Sequence, residues 1–126
     1  MRAFVIATAF IFAPGAALAG MACTFPTECM SGEACTDSGY SVTVDTALAP
    51  GSLAMEGGFP TADTIVTDAE TIPITWSGVG AALAATGRTG LAMHLLTVAP
   101  DGTALYSVHL PAAEIAITYL GSCKGT

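Results

Sequence analysis

Three of the four cysteines, Cys23, Cys29 and Cys35, stand together near the amino terminus, and the fourth, Cys123, stands near the carboxyl end. An even number of cysteines in a short exported chain reads as a disulfide framework. Three connectivities are possible, and in each of them Cys123 ties the amino-terminal segment to the end of the chain. Such a bridge closes a loop of about 90 to 100 residues, worth about 4 to 5 kcal/mol in the chain-entropy model. The fold must therefore bring its two ends side by side. The second bridge is local, and spacing alone leaves its pair open. The five-residue gaps between the first three cysteines do not match the ligand spacing of a structural zinc site.

Export is read from residues 1–19. Arg2 supplies a positive charge, Ala3 to Phe12 form an apolar run, Pro14-Gly15 break it, and Ala17-Leu18-Ala19 fit a signal-peptide cleavage site. The run is too short to span a bilayer, so the mature chain is expected to have no transmembrane segment. It would comprise residues 20–126, a single β domain large enough for a core of its own, located in the periplasm or secreted. A lipid anchor on Cys23, preceded by Ala22, is the alternative.

The charge balance narrows the partners. Beyond residue 19 only Arg88 and Lys124 are basic, against all ten Asp and Glu residues of the chain. Nucleic acid is excluded as a partner class, because phosphate contacts need clustered Lys and Arg, and an anionic lipid surface is disfavoured for the same reason. The 52% apolar content includes the export segment and many alanines.

The carboxyl-terminal third reads as a three-stranded antiparallel meander: Leu91 to Val98, Ala104 to Leu110 and Glu114 to Leu120, the last preceded by the turn Pro111-Ala112-Ala113. Between the first two strands lies Ala99-Pro100-Asp101-Gly102-Thr103. A two-residue loop centred on Asp101-Gly102 would demand an N–H that Pro100 lacks. A type I turn with Gly102 as a left-handed bulge suits the residues better, and it sets Ala99 opposite Thr103. His94 then faces Val108 and His109 faces Met93, so the two histidines lie on opposite faces of the sheet. Ala92, Leu96, Val98, Ala104, Tyr106, Val108 and Leu110 make the core side, with His94 as its polar member.

Further strands are expected at Tyr40 to Thr46, where apolar and polar residues alternate, at Thr64 to Thr67, and at Thr71 to Trp76, with a short one around Leu53 and Met55. Pro73 points outward and lacks a donor, which places its strand at a sheet edge or a bulge. Trp76, the only tryptophan, reads as a core residue ending that strand before it reads as a ligand platform. Thr24 to Asp37 has no period and reads as a disulfide-pinned loop. Ser77 to Gly90 is almost wholly small residues, with Arg88 its only charge, and reads as a mobile loop with a helical turn at Ala81 to Ala85. The whole is a small all-β antiparallel sandwich or barrel of about six to seven strands, tied by disulfides.

The segments Ala22-Cys23-Thr24-Phe25-Pro26-Thr27-Glu28-Cys29 and Ile117-Thr118-Tyr119-Leu120-Gly121-Ser122-Cys123 resemble a group of small exported proteins of alphaproteobacteria with no assigned function. The resemblance covers both ends of the mature chain and implies export, but it carries no catalytic motif.

A direct search for chemistry gives negatives: no nucleophile elbow, no phosphate-cradling loop, no H-E-x-x-H and no EF-hand loop. Asp68 and Glu70 share one side of an extended segment and read as a solvated turn. No catalytic residue, metal site or cofactor is assigned. The candidate binding residues are Trp76, Arg88, His94 and His109. The leading reading is a non-catalytic binding or interaction domain of the cell envelope that recognises a protein or small ligand, with an enzyme inhibitor as one form. An exposed apolar patch beside the stretch from Ser77 to Gly90 would support it. A small hydrolase built on His94 or His109 is one alternative, and needs a histidine in a cleft with a hydroxyl or carboxylate in reach. A metal-binding protein is another, and needs the two histidines face to face.

Overall fold

The structure, a computed structural model, describes residues 20–46, 48 and 63–126. The expected signal peptide, residues 1–19, and the short strand expected around Leu53 and Met55 lie outside the described residues.

Among the described residues, eight strands run β1 (Gly20–Met30), β2 (Thr36–Asp45), β3 (Thr64–Val66), β4 (Thr71–Val79), β5 (Ala82–Thr89), β6 (Ala92–Val98), β7 (Thr103–Leu110) and β8 (Ile115–Gly125), with one 3-10 turn, Pro111–Ala113. Each strand pairs antiparallel with the next, and β1 pairs with β8, so the sheet closes into a barrel without an edge. The connections β1–β2, β3–β4, β5–β6 and β7–β8 fall at one end, called here the hairpin end. The chain ends and the other connections fall at the opposite end.

Closure is secured by Cys23–Cys123, which joins directly paired residues of β1 and β8 across a sequence separation of 100. Cys29–Cys35 pins the β1–β2 hairpin across a separation of 6. The expected disulfide-pinned loop is thus corrected: Thr24 to Met30 belongs to β1 and Thr36 and Asp37 to β2. Its lack of period has a cause. The β1 register shifts between Phe25 and Thr27 against β2, and between Thr24 and Thr27 against β8, at a bulge that contains Pro26. Gly121 of β8 packs against this bulge so closely that a Cβ there would lie 1.9 Å from the Thr24 carbonyl oxygen.

The meander forms as the turn chemistry requires. Gly102 has φ +91°, its N–H donates to Ala99 O at 2.9 Å, and the Ala99 N–H donates to Thr103 O at 2.9 Å. Ala104 pairs with Val98, Val108 with His94, and His109 with Met93. The turn also docks on the closing disulfide, for the Cys123 N–H donates to Gly102 O at 2.8 Å. Asp101 accepts the Thr103 N–H at 2.9 Å, which holds its carboxyl below the usual carboxylate range.

Two further expectations are corrected. Ser77 to Gly90 is not a mobile loop with a helical turn; it is the end of β4, a tight turn, and β5. Pro73 does not mark a sheet edge. It pairs with Thr64 of β3, and the β4–β5 ladder begins only at Ile74 and Gly87, so the missing N–H falls where pairing with β5 has stopped. Beyond Pro73, β4 changes partner from β3 to β5.

Inward side chains fill the barrel. Met21, Phe25, Val44, Ile65, Ile72, Leu96, Val98 and Tyr106 are fully buried, and Trp76 is buried as expected. Trp76 pairs with Ala85, and Ala85 with Leu96, so a methyl-sized side chain on β5 makes room for the indole.

Replacing Cys23 and Cys123 together by serine is expected to cost about 4 to 5 kcal/mol of unfolding free energy in urea titrations, and replacing Cys29 and Cys35 about 2 kcal/mol. A reversed order would mean that the long bridge does not close the fold. Gly121→Ala is expected to cost about 1–3 kcal/mol by overpacking against the Thr24 carbonyl, read by the same titration.

Candidate functional site

The sequence-selected residues separate into an inner and an outer group. Trp76 and His94 point into the barrel, whereas Arg88 and His109 are exposed on its outer surface. Arg88 pairs with Met93 and Met93 with His109, so these three lie in one row across β5, β6 and β7. His94 lies on the other side of the sheet from His109, which is the arrangement the turn requires.

His94 is buried, 5% exposed, near the hairpin end. Its Nδ1 lies 2.6 Å from Tyr106 Oη and its Nε2 lies 2.8 Å from Thr89 Oγ1. The Thr89 hydroxyl donates to Glu70 Oε1 at 3.4 Å. That last bond fixes the direction of the chain. With its one proton given to Glu70, Thr89 must accept from the His94 Nε2–H, and Nδ1 then accepts from the Tyr106 hydroxyl. Burial raises the Tyr106 pKa strongly, which keeps that hydroxyl a donor. Burial also lowers the His94 pKa below the usual 6.5, against the opposing pull of Glu70, whose Oε1 is 3.9 Å from Nε2.

The hydroxyl and carboxylate near His94 meet the first requirement of a hydrolase but not its geometry. A catalytic triad places the nucleophile on one ring nitrogen and the orienting acid on the other. Here Thr89 and Glu70 both lie at Nε2, and Nδ1 is held by a neutral phenol. Both nitrogens are occupied inside the barrel, so the ring braces the hairpin end by joining β5, β6 and β7. The metal reading is corrected outright: it needs His94 opposite His109, and His94 is opposite Val108. Among the described residues, no group of three His, Cys, Asp or Glu side chains comes together.

Around Tyr106 the hairpin end is filled with aromatic rings. Tyr40 and Tyr119 stack at 4.4 Å, and Phe25 lies 5.9 Å from Tyr106 and 6.1 Å from Tyr119. Burial raises the phenol pKa of both Tyr40 and Tyr119, and nearby carboxylates, Glu70 and Asp68 for Tyr40 and Glu28 for Tyr119, act in the same sense. Near the opposite end, Asp63 is buried and accepts the Trp76 Nε1–H at 2.7 Å and the Thr46 hydroxyl, while Thr46 Oγ1 accepts the Leu48 N–H at 3.0 Å. Trp76 is therefore a structural residue whose one polar atom is satisfied.

The outer wall formed by β5 to β8 is different in kind. Leu91 is 78% exposed and Met93 52%, and Leu95, Leu105 and Leu120 are also exposed. Met93 and Leu95 share the outer face of β6, and Leu105 pairs with Leu120 across β7 and β8; with Ser107 opposite Leu95 and Thr97 opposite Leu105, the two apolar pairs lie diagonally across β6 and β7 as an interrupted stripe. A shallow depression of about 350 Å³ runs beside it, lined by Thr86, Met93, His94, Leu95, His109 and Pro111. Residues 71–126 contain only two carboxylates, Asp101 and Glu114. Both sit in turns at opposite ends of β7, so the wall carries none, and Arg88, His109 and Lys124 are its only basic groups. Ser77 to Gly90 offers no loop for binding; the exposed apolar side chains lie on β6, β7 and β8 instead.

No protein-family model matches this chain, and no curated protein and no solved structure is significantly similar to it.

Because the folded-state pKa of His94 lies below its unfolded value, the unfolded chain binds the proton more readily. Stability is unaffected by this residue above about pH 6.5 and falls as the pH drops from there toward the folded pKa. His94→Gln is expected to flatten that acid limb in urea titrations at a series of pH values.

Proposed function

We propose that this chain is an exported, non-catalytic interaction domain of the cell envelope, acting in the periplasm or outside the cell. The observation that carries this reading is the gathering of four exposed apolar side chains, Met93, Leu95, Leu105 and Leu120, on three neighbouring strands. Soluble proteins seldom leave adjacent large apolar side chains uncovered unless something covers them in use. Three further points support it. Two disulfides suit an oxidising compartment. No helix among the described residues is long and apolar enough to cross a membrane. His94, the side chain best placed for acid–base chemistry, spends both nitrogens on internal hydrogen bonds. An enzyme inhibitor that presents this wall to its target is one form of the same proposal.

The test is capture on immobilised protein from an envelope extract, comparing the native sequence with a Met93→Asp, Leu95→Asp double variant. The native protein is expected to retain a stoichiometric protein that the variant loses. Equal retention by both, or retention of nothing, would count against the wall as the interaction surface.

A further inference from the structure

The wall has a property that selects its occupant. Two copies of a chain with two basic and ten acidic residues beyond residue 19 repel each other wherever their carboxylates meet. On the described surface, Glu28 lies on β1, Glu33 in the β1–β2 turn, Asp37 and Asp45 on β2, and Asp68 and Glu70 in the β3–β4 turn, while Asp101 and Glu114 lie in the turns at either end of β7. The β5 to β8 wall has none on its strands. It is therefore the face on which two copies approach without opposing carboxylates, and it is also where the exposed apolar area lies. The two conditions coincide on the same four strands.

Resting on the interaction-domain reading, we propose that the β5 to β8 wall is a self-association surface, joining two copies as a closed pair with stripe against stripe. A head-to-tail arrangement fits less well. It would set the stripe against the β1 to β4 half, whose outward residues are mostly hydroxyl-bearing, Ser41, Thr43, Thr71 and Thr75 among them, with Val66 and Val79 its exposed large apolar side chains among the described residues. In the closed pair Met93, Leu95, Leu105 and Leu120 of the two copies meet across the two-fold axis, with only the turn carboxylates Asp101 and Glu114 at the ends of the contact.

The size of the wall sets the strength. Four strands at about 4.8 Å spacing and about seven residues at 3.3 Å cover roughly 19 by 23 Å, at the small end for protein interfaces and in the range of transient ones. The pair is expected to dissociate at about 10–100 µM.

Sedimentation of the exported protein from about 1 to 500 µM tests this. The mass is expected to rise from one copy toward two and to stop there. Leu95→Asp and Leu105→Asp are each expected to raise the dissociation constant at least tenfold, and Val79→Asp, which alters an exposed apolar residue outside the wall (65% exposed), leaves it unchanged. Raising salt from about 50 to 500 mM is expected to leave the pair intact or to tighten it, since it screens only the residual repulsion. Weakening by salt would mean that acidic groups dock on Arg88 and Lys124, and would overturn the stripe-to-stripe contact. Amide shifts of the native protein on dilution read the surface without any substitution: shifts confined to β6, β7 and β8 support it, and shifts on β1 to β4, or growth beyond two copies, overturn it. A single-copy mass at every concentration overturns the pairing. If the wall variants still lose a captured envelope protein, that same result leaves the interaction-domain reading standing.

Discussion

Everything in this molecule depends on the pairing of its first strand with its last. A sheet of seven ladders left open between β1 and β8 would expose two rows of unpaired backbone groups and half of a core. The Cys23–Cys123 bridge sits within that eighth ladder, between residues that face each other, so covalent and hydrogen-bonded closure specify the same register. Gly102 then docks on Cys123 and Gly121 on Thr24, which ties the central turn of the meander and the β1 bulge to the same seam.

Once the barrel is closed, alternation decides which groups can act. Inward positions belong to a dry core braced near each end by a polar cluster: Tyr106, His94, Thr89 and Glu70 at the hairpin end, Asp63, Trp76 and Thr46 toward the other. Every polar side-chain atom buried among the described residues has a partner, as a low-dielectric interior requires. A histidine built into such a network resists protonation and positions strands. The outward positions of β5 to β8 inherit none of the acidic residues and carry exposed apolar side chains.

What the sequence made legible, and what it hid, follows from where each residue's constraint comes from. Pro100 and Gly102 act through their own backbones, so the turn, the register and the separation of His94 from His109 could be read locally. His94 could be placed on the same face as Tyr106, though its contact with Thr89 and Glu70 needs strands that were not recognised. β5 was hidden because its inward residues are small for reasons that lie elsewhere. Ala85 yields to Trp76, and a Cβ on Gly87 would come within 2.5 Å of Pro73 O and 2.8 Å of Ile72 Cγ2. Tertiary fit there erased the apolar alternation that marks a strand. β1 was hidden by its bulge, which breaks the period partway along, and by a composition of Thr and Glu that serves the rim. Pro73 was read as an edge or a bulge because it lacks a donor; it sits instead where β4 passes from β3 to β5, and that change is invisible in one sequence.

The central claim is the register at which β1 meets β8, and mapping the disulfides of the oxidised protein by mass spectrometry of an unreduced digest tests it most directly. The account predicts one bridge between Cys23 and Cys123 and one between Cys29 and Cys35. A bridge from Cys123 to Cys29 or to Cys35 would displace β1 by six or twelve residues, roughly 20 or 40 Å along the strand. That result would contradict the closed barrel and everything built on it.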